Sequence, residues 1–177
     1  MTNTLKRPGY AQSRALAALL ALLLVAACKH APPPASPPPP LVPVPLTVVL
    51  HASADVNPDG SGSAAPVVVR VLRLRGDAAF LGGEYFALYD HEAMTLAADL
   101  AGRDEFQLAP GETRKFAFTP GPDVRFIGIV VGYGDYRHSQ WRALKATPEP
   151  RVVGKQPIVP VEFQFLVGKA AVTAVVP

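Results

Sequence analysis

The sequence predicts a mainly all-β protein, a two-sheet β-sandwich of seven to eight strands with a short helical insertion, preceded by a signal peptide and a Pro-rich stalk. Three observations carry this. Short runs rich in β-branched and aromatic residues recur from Leu46 to Val176, separated by Pro/Gly turns. Only the stretch from Asp77 to Leu100 departs from strand character and shows helical spacing. Before Leu46 the composition changes twice, Ala/Leu-rich up to residue 27 and proline-rich up to residue 45. The expected division is therefore 1–27, 28–45 and 46–177, the last being one domain's worth of chain.

At the N-terminus Lys6, Arg7 and Arg14 form a positive opening segment, followed by an apolar run from Ala15 to Ala27. As a helix these residues would rise only about 20 Å, short of the roughly 30 Å hydrocarbon core. The segment therefore reads as the apolar part of a secretory signal rather than a membrane span. It closes on Val25-Ala26-Ala27-Cys28, which resembles the lipobox of bacterial lipoproteins, with Val25 in place of the usual Leu. Small side chains leave the bond before Cys28 open to a peptidase, and the thiol can then carry a covalent lipid. The plainer alternative is an ordinary signal peptide with an incidental cysteine. Cys28 is the only cysteine of the 177 residues, so no internal disulfide can form. Among such lipoproteins Asp after the acylated cysteine favours inner-membrane retention. Lys29 at that position implies delivery to the outer membrane, with the domain facing the periplasm.

Cleavage before Cys28 changes the charge. It removes three of the 17 basic residues and none of the 14 acidic ones, so the net +3 of the full chain falls to zero. A neutral mature chain has no electrostatic footprint for nucleic acid. From Lys29 to Pro45 the prolines can donate to neither helix nor sheet, and an extended polyproline II stalk of up to about 50 Å is expected. A ligand for a proline-reading domain is the rival reading.

The strands follow in order. Thr47 to Leu50 is a short apolar run; Val67 to Leu74 lacks clean alternation, as a strand covered on both faces would. Glu105 to Ala109 runs into Pro110-Gly111, the pair a type II turn requires. Phe116 and Phe118 share a face; Arg125 to Val131 is apolar; Gln140 to Lys145 carries the only tryptophan, expected in the core. Val161, Phe163 and Phe165 alternate with Glu162 and Gln164, and Ala170 to Val176 closes the set. In the insertion Asp77 is a candidate N-cap, and Leu81, Tyr85 and Leu88 sit at i, i+4, i+7. Ala93, Leu96, Ala97 and Leu100 repeat the pattern, which predicts two short helices, the first weakened by Gly82-Gly83.

No catalytic constellation is present, and the sequence predicts neither an enzyme nor a small-molecule substrate. The histidines (His30, His51, His91, His138) are scattered, and none has a His partner at i+4. His91-Glu92 and Asp135/His138 are metal fragments at best, more simply read as solvated loop residues, so no metal or cofactor is expected beyond lipid on Cys28. Asp104 and Glu105 point to opposite sides of a strand and make a poor acid/base pair. Tyr136-Arg137 and Trp141-Arg142 form the most distinctive polar-aromatic cluster. Its plain reading is packing, with an arginine lying over an aromatic face.

Taken together, several segments resemble the outer-membrane lipoprotein of type VI secretion systems, the TssJ (SciN/VasD) family. They are the lipobox at Cys28, the loop with Asn57-Pro58-Asp59, and the strand Pro66 to Leu74. Phe80 with Tyr85-Phe86-Ala87-Leu88, the Leu96 to Leu100 turn, and the Phe106 to Glu112 hairpin follow. Tyr133, Tyr136-Arg137 and Trp141-Arg142 complete the set. The resemblance covers about residues 46 to 147; the proline-rich stalk and the tail beyond Pro148 depart from it. It implies a transthyretin-like sandwich, an outer-membrane lipid anchor, and binding to the periplasmic domain of the inner-membrane component TssM (IcmF-like). A stand-alone periplasmic ligand- or carbohydrate-binding lipoprotein is the alternative; a hydrolase is disfavoured by the missing catalytic groups.

The partner surface is expected on the loop from about Ala52 to Ala65, much longer than the two to five residues of most hairpin loops. Val56-Asn57-Pro58-Asp59 should form a turn stiffened by proline and an Asx hydrogen bond, presenting Val56 and Asn57 outward, with Asp55 and Asp59 supplying negative charge. Tyr136, Arg137, Trp141 and Arg142 are the second candidate patch.

Overall fold

The structure, a computed structural model, describes residues 37–154 and 157–175. The signal segment, Cys28 and Lys29 lie outside the described residues, as does most of the stalk. The folded unit spans Pro39–Pro177.

Eight strands form the expected sandwich of two four-stranded sheets. In the first, β2 (Leu46–Ala52) lies between β5 (Thr113–Phe118) and β9 (Val161–Val167). It runs antiparallel to β5 and parallel to β9, while β10 (Val172–Val175) pairs antiparallel with β9. The second sheet is antiparallel throughout: β3 (Val67–Leu74) between β4 (Leu100–Leu108) and β6 (Phe126–Val131), then β7 (Arg142–Ala146). Period-two patterning decides which side chains face inward. Leu46, Val48 and Leu50 of β2 meet Val67, Val69, Val71, Ile127 and Ile129 across the interface, with Phe163 and Phe165 from β9.

The broken alternation of β3 has a direct cause. Leu72, Leu74 and Val130 help form a second apolar cluster, into which Phe80, Leu88 and Leu96 of the helical insertion pack. That insertion holds three single-turn helices rather than two: α1 (Ala78–Gly82), α2 (Tyr85–Asp90) and α3 (Glu92–Leu96), then a 3₁₀ turn at Ala97–Asp99. Helices of five or six residues are far below the 12–15 needed for stability in water, so packing holds them in place. Asp77 occupies the N-cap position of α1 but makes no side-chain cap bond. The continuous i, i+4, i+7 stripe is also corrected. The chain breaks at Gly83, where a Cβ would come within 2.8 Å of the Leu88 side chain. The restart shifts the phase and leaves Leu81 half exposed. The second stripe ends similarly: Ala97 takes φ 45° and Leu100 opens β4.

One further expectation changes. Leu41–Val42 is a strand, β1, paired with β8 (Arg151–Val152), and Val44 is buried. The fold therefore begins before Leu46, and Leu41 to Pro45 belong to it rather than to a stalk. The Pro110-Gly111 turn forms as expected, with Gly111 at φ 76° and Glu112 N–H donating to Ala109 O at 3.0 Å.

Strand directions give the sandwich two distinct ends. The chain arrives at the end holding Leu46, Val161, Leu74 and Ala146. At the other end lie the β2–β3 loop, the β4–β5 turn, the β6–β7 segment and the β9–β10 turn. There Ala52 N–H donates to Glu112 O and Gly111 N–H to Ser53 O, extending the β2–β5 pairing of the first sheet beyond the strand ends.

Candidate functional site

Asn57 organises the loop end. Its φ of 47° lies in the left-handed region, which Asn tolerates better than most residues. From there its side chain reaches two other segments: Nδ2 donates to Pro66 O at 3.1 Å, and Oδ1 accepts from Gly134 N–H at 2.8 Å. Its backbone N–H donates to Lys169 O at 3.2 Å. One residue thus fastens the β2–β3 loop to the β6–β7 segment and the β9–β10 turn.

The outward placement expected for Val56 is overturned. Val56 is fully buried in the sandwich core, and Ala65 N–H donates to its carbonyl at 3.2 Å. An isolated valine in a polar loop is there to plug the loop into the core, since burying it removes apolar area from water. Asn57 and Pro58 are half-buried, whereas Asp55 and Asp59 are exposed. The Asx bonding expected around Pro58 belongs to Asp59. Its Oδ1 accepts from Ser61 Oγ at 2.6 Å, Ser61 N–H at 2.8 Å and Ser63 N–H at 3.0 Å. These bonds, the Ser61 hydroxyl first, hold the Asp59 carboxyl below its ordinary value and fix the loop tip with its negative charge in place.

Between the fastened segments lies an open groove of about 630 Å³, lined by Asn57, Pro58, Asp59, Tyr133, His138 and Lys169 among others. Tyr133 closes its floor, its ring buried and its hydroxyl donating to Gly168 O at 3.0 Å. His138 pairs with Asp135 at 2.9 Å on the exposed rim. Among the described residues no group of His, Cys, Asp and Glu could hold a metal.

The second candidate patch divides. Tyr136 stacks on Tyr85 at 4.4 Å and meets Phe86 edge-on at 4.9 Å; Trp141 meets Tyr85 edge-on at 5.1 Å. Arg142 lies over Trp141 and donates to the carbonyls of Phe80 and Gly83 at 2.9 and 2.7 Å. These three hold the insertion onto the sheet, which is the packing role. Trp141 is half-buried between the two apolar clusters rather than enclosed in one. Arg137 is exposed, its Nε donating to the Tyr136 hydroxyl at 3.1 Å.

A network that sequence reasoning missed joins the insertion to the outer face of the second sheet. Glu92 is buried, and its two carboxylate oxygens accept from Arg70 (3.3 Å) and Arg103. Arg70 also pairs with Glu105 at 2.7 Å and lies over the Tyr89 ring. Residues 70, 92 and 103 are remote in sequence, and only the β3–β4 pairing brings their partners together.

The family model for the type VI secretion lipoprotein (VasD, EvfM, TssJ) matches residues 44–165. The chain belongs to this family. Among solved structures this type VI secretion lipoprotein is similar to TssJ1 from Pseudomonas aeruginosa, at 34% identity and a TM-score of 0.67, covering 75% of this chain and 95% of that one. It is similar also to Lip from Serratia marcescens, described as a membrane-bound component of the type VI secretion system. There the identity is 30% and the TM-score 0.69, over 77% of this chain and 99% of that one. A chain in a structure described as the TssM C-terminal domain from EAEC shares the fold at 20% identity and a TM-score of 0.61, over 76% of this chain and 99% of that one. Among curated proteins there is no match. The family is a structural, membrane-associated component of type VI secretion and not an enzyme.

Proposed function

We propose that the chain is exported by residues 1–27, acylated on Cys28 and held in the outer membrane with its sandwich in the periplasm. There it docks the periplasmic domain of TssM through the loop end of the fold. The observation that carries the docking reading is Asn57, whose three bonds to Pro66, Gly134 and Lys169 make separate segments one preorganised surface. A surface fixed beforehand loses less conformational freedom on association. Family membership supports the same partner, and the fold recurs in a structure described as the type VI membrane complex. The alternative, sugar binding, lacks support in the groove. Its one Phe, Tyr or Trp lining residue is Tyr133, whose ring is buried and offers no stacking face.

The burial of Val56 dictates how to test the surface. Replacing Pro58 to Ser63 by a short Gly-containing turn spares Val56 and Asn57 and should leave the circular dichroism spectrum unchanged. Titration against the TssM periplasmic domain should show affinity weakened at least about tenfold, or 1.4 kcal/mol. Unaltered affinity of the folded variant would move the interface away from this loop. Sorting is tested separately: Lys29→Asp should shift the protein toward the inner membrane in density-gradient fractionation. An unchanged profile counts against outer-membrane delivery by this residue.

A further inference from the structure

The chain enters the fold through a ribbon whose side chains the sandwich leaves uncovered. Leu41 pairs with Val152 and Val42 with Arg151, and Val153 N–H donates to Pro40 O at 3.2 Å. A two-stranded ribbon is at best marginally stable in water by itself. This one nevertheless presents its aliphatic side chains to solvent: Leu41 is 65% exposed, and Val152 and Val153 51% each. Leu41 and Val152 are direct cross-strand partners and so share a face. Arg151 is exposed beside them.

Among the described residues the two ends of the sandwich differ, although Leu81, Phe86 and Met94 of the helical insertion are exposed as well. No large exposed hydrophobic residue lies in the loops of the Asn57 end, whereas Leu41, Val152, Val153 and Val159 all fall in the segments flanking the entry end. β2 separates the two ends by seven residues, roughly 20 Å. Leu41 also follows Cys28 by only 13 residues, a span of about 47 Å even at full extension. A contact too weak to hold a free protein becomes intramolecular once the chain is tethered that closely.

We propose that the β1–β8 ribbon is a lipid-contacting surface. Its aliphatic side chains rest at the boundary of headgroups and acyl chains in the leaflet that holds the Cys28 lipid, and Arg151 meets lipid phosphates. The inference rests on acylation of Cys28. It orients the molecule, ribbon toward the bilayer and Asn57 end toward the periplasm.

The test uses the full-length lipidated protein in vesicles of phosphatidylethanolamine and phosphatidylglycerol. With Cys28 acylated, a cysteine from Val152→Cys is the sole free thiol and takes a nitroxide label. Collision with oxygen relative to a water-soluble nickel chelate should be several-fold higher there than at a label on Ser61→Cys. Adding Leu41→Ser and Val153→Ser should return the Val152 label to aqueous values with the melting curve unchanged. Vesicle flotation separates the two readings. Protein that fails to float removes the anchor and the ribbon contact together. Protein that floats with an aqueous label at Val152 overturns the ribbon contact alone. A label that stays aqueous until the TssM domain or a second copy is added overturns it too, in favour of a protein partner.

Discussion

Cys28→Ser should abolish membrane association and secretion together while leaving the sandwich folded. The folded unit begins at Pro39, and residue 28 precedes it in the chain. What it removes is the only thiol in the chain, and with it, on the proposed acylation, every acyl group at once. Each buried CH₂ of an acyl chain contributes about 0.8 kcal/mol, and stable anchoring takes more than one chain. A few exposed aliphatic residues on the ribbon cannot offset that loss. Detergent-phase partitioning and membrane fractionation measure the first effect, and a secretion assay the second. Retention of the serine variant in the outer membrane with secretion intact would falsify the tether.

Glu92→Gln should lower stability by about 2 kcal/mol, roughly 8 °C in melting temperature for a domain of this size. Removing one member of a buried ion pair commonly costs about 3–5 kcal/mol. The smaller figure follows because the Arg103 side chain is 43% exposed and Arg70 keeps Glu105 as a partner. The native pair also makes stability depend on pH. Burial alone pushes the Glu92 carboxyl up. The bond from its own backbone N–H, the Arg103 hydrogen bond and the charges of Arg70 and Arg103 outweigh this and hold it below its ordinary value of 4.5. A carboxyl depressed in the folded state contributes its stability above the unfolded value and loses it as pH falls through the folded one. Thermal melts should therefore separate wild type from Glu92→Gln at pH 7 and converge as the pH drops well below 4.5. A gap that persists unchanged into that range would show that Glu92 acts by shape alone.

How much could be read beforehand depends on whether the cause is local. The period-two pattern of Val161, Phe163 and Phe165 is local, and those positions face the core as expected. The irregular run Val67 to Leu74 also announced its two covered faces, because each face needs its own apolar residues. Val56 misled, since a single valine among Ala, Ser, Gly and Asp carries no periodicity to show which way it turns. Val42 and Val44 were hidden by the prolines around them. Proline excludes central strand positions, yet a two-residue ribbon is all edge and tolerates it nearby. The groove needed three loops whose closeness is set by strand order, and the parallel pairing of β2 with β9 is a non-local choice. The length of the β2–β3 loop was legible in the sequence, since fourteen residues exceed what a hairpin needs, whereas Cys28 lies outside the described residues. Glu92, flanked by His91 and Ala93, looked like a loop acid, and its two arginines come from strands that pair only in the finished sheet.

The placement of β2 has a mechanical consequence. A pull between the tether and whatever grips the Asn57 loop enters at Leu46 and leaves at Ala52, so the tension runs along the covalent backbone of one strand. β5 and β9 flank that strand on both sides, with Leu46 to Ala52 in register against β9. Tension carried by that backbone bypasses both ladders, so it neither slides nor peels their hydrogen bonds. The small sandwich is then a stiff link for axial force, because lengthening it means stretching a strand that is already extended.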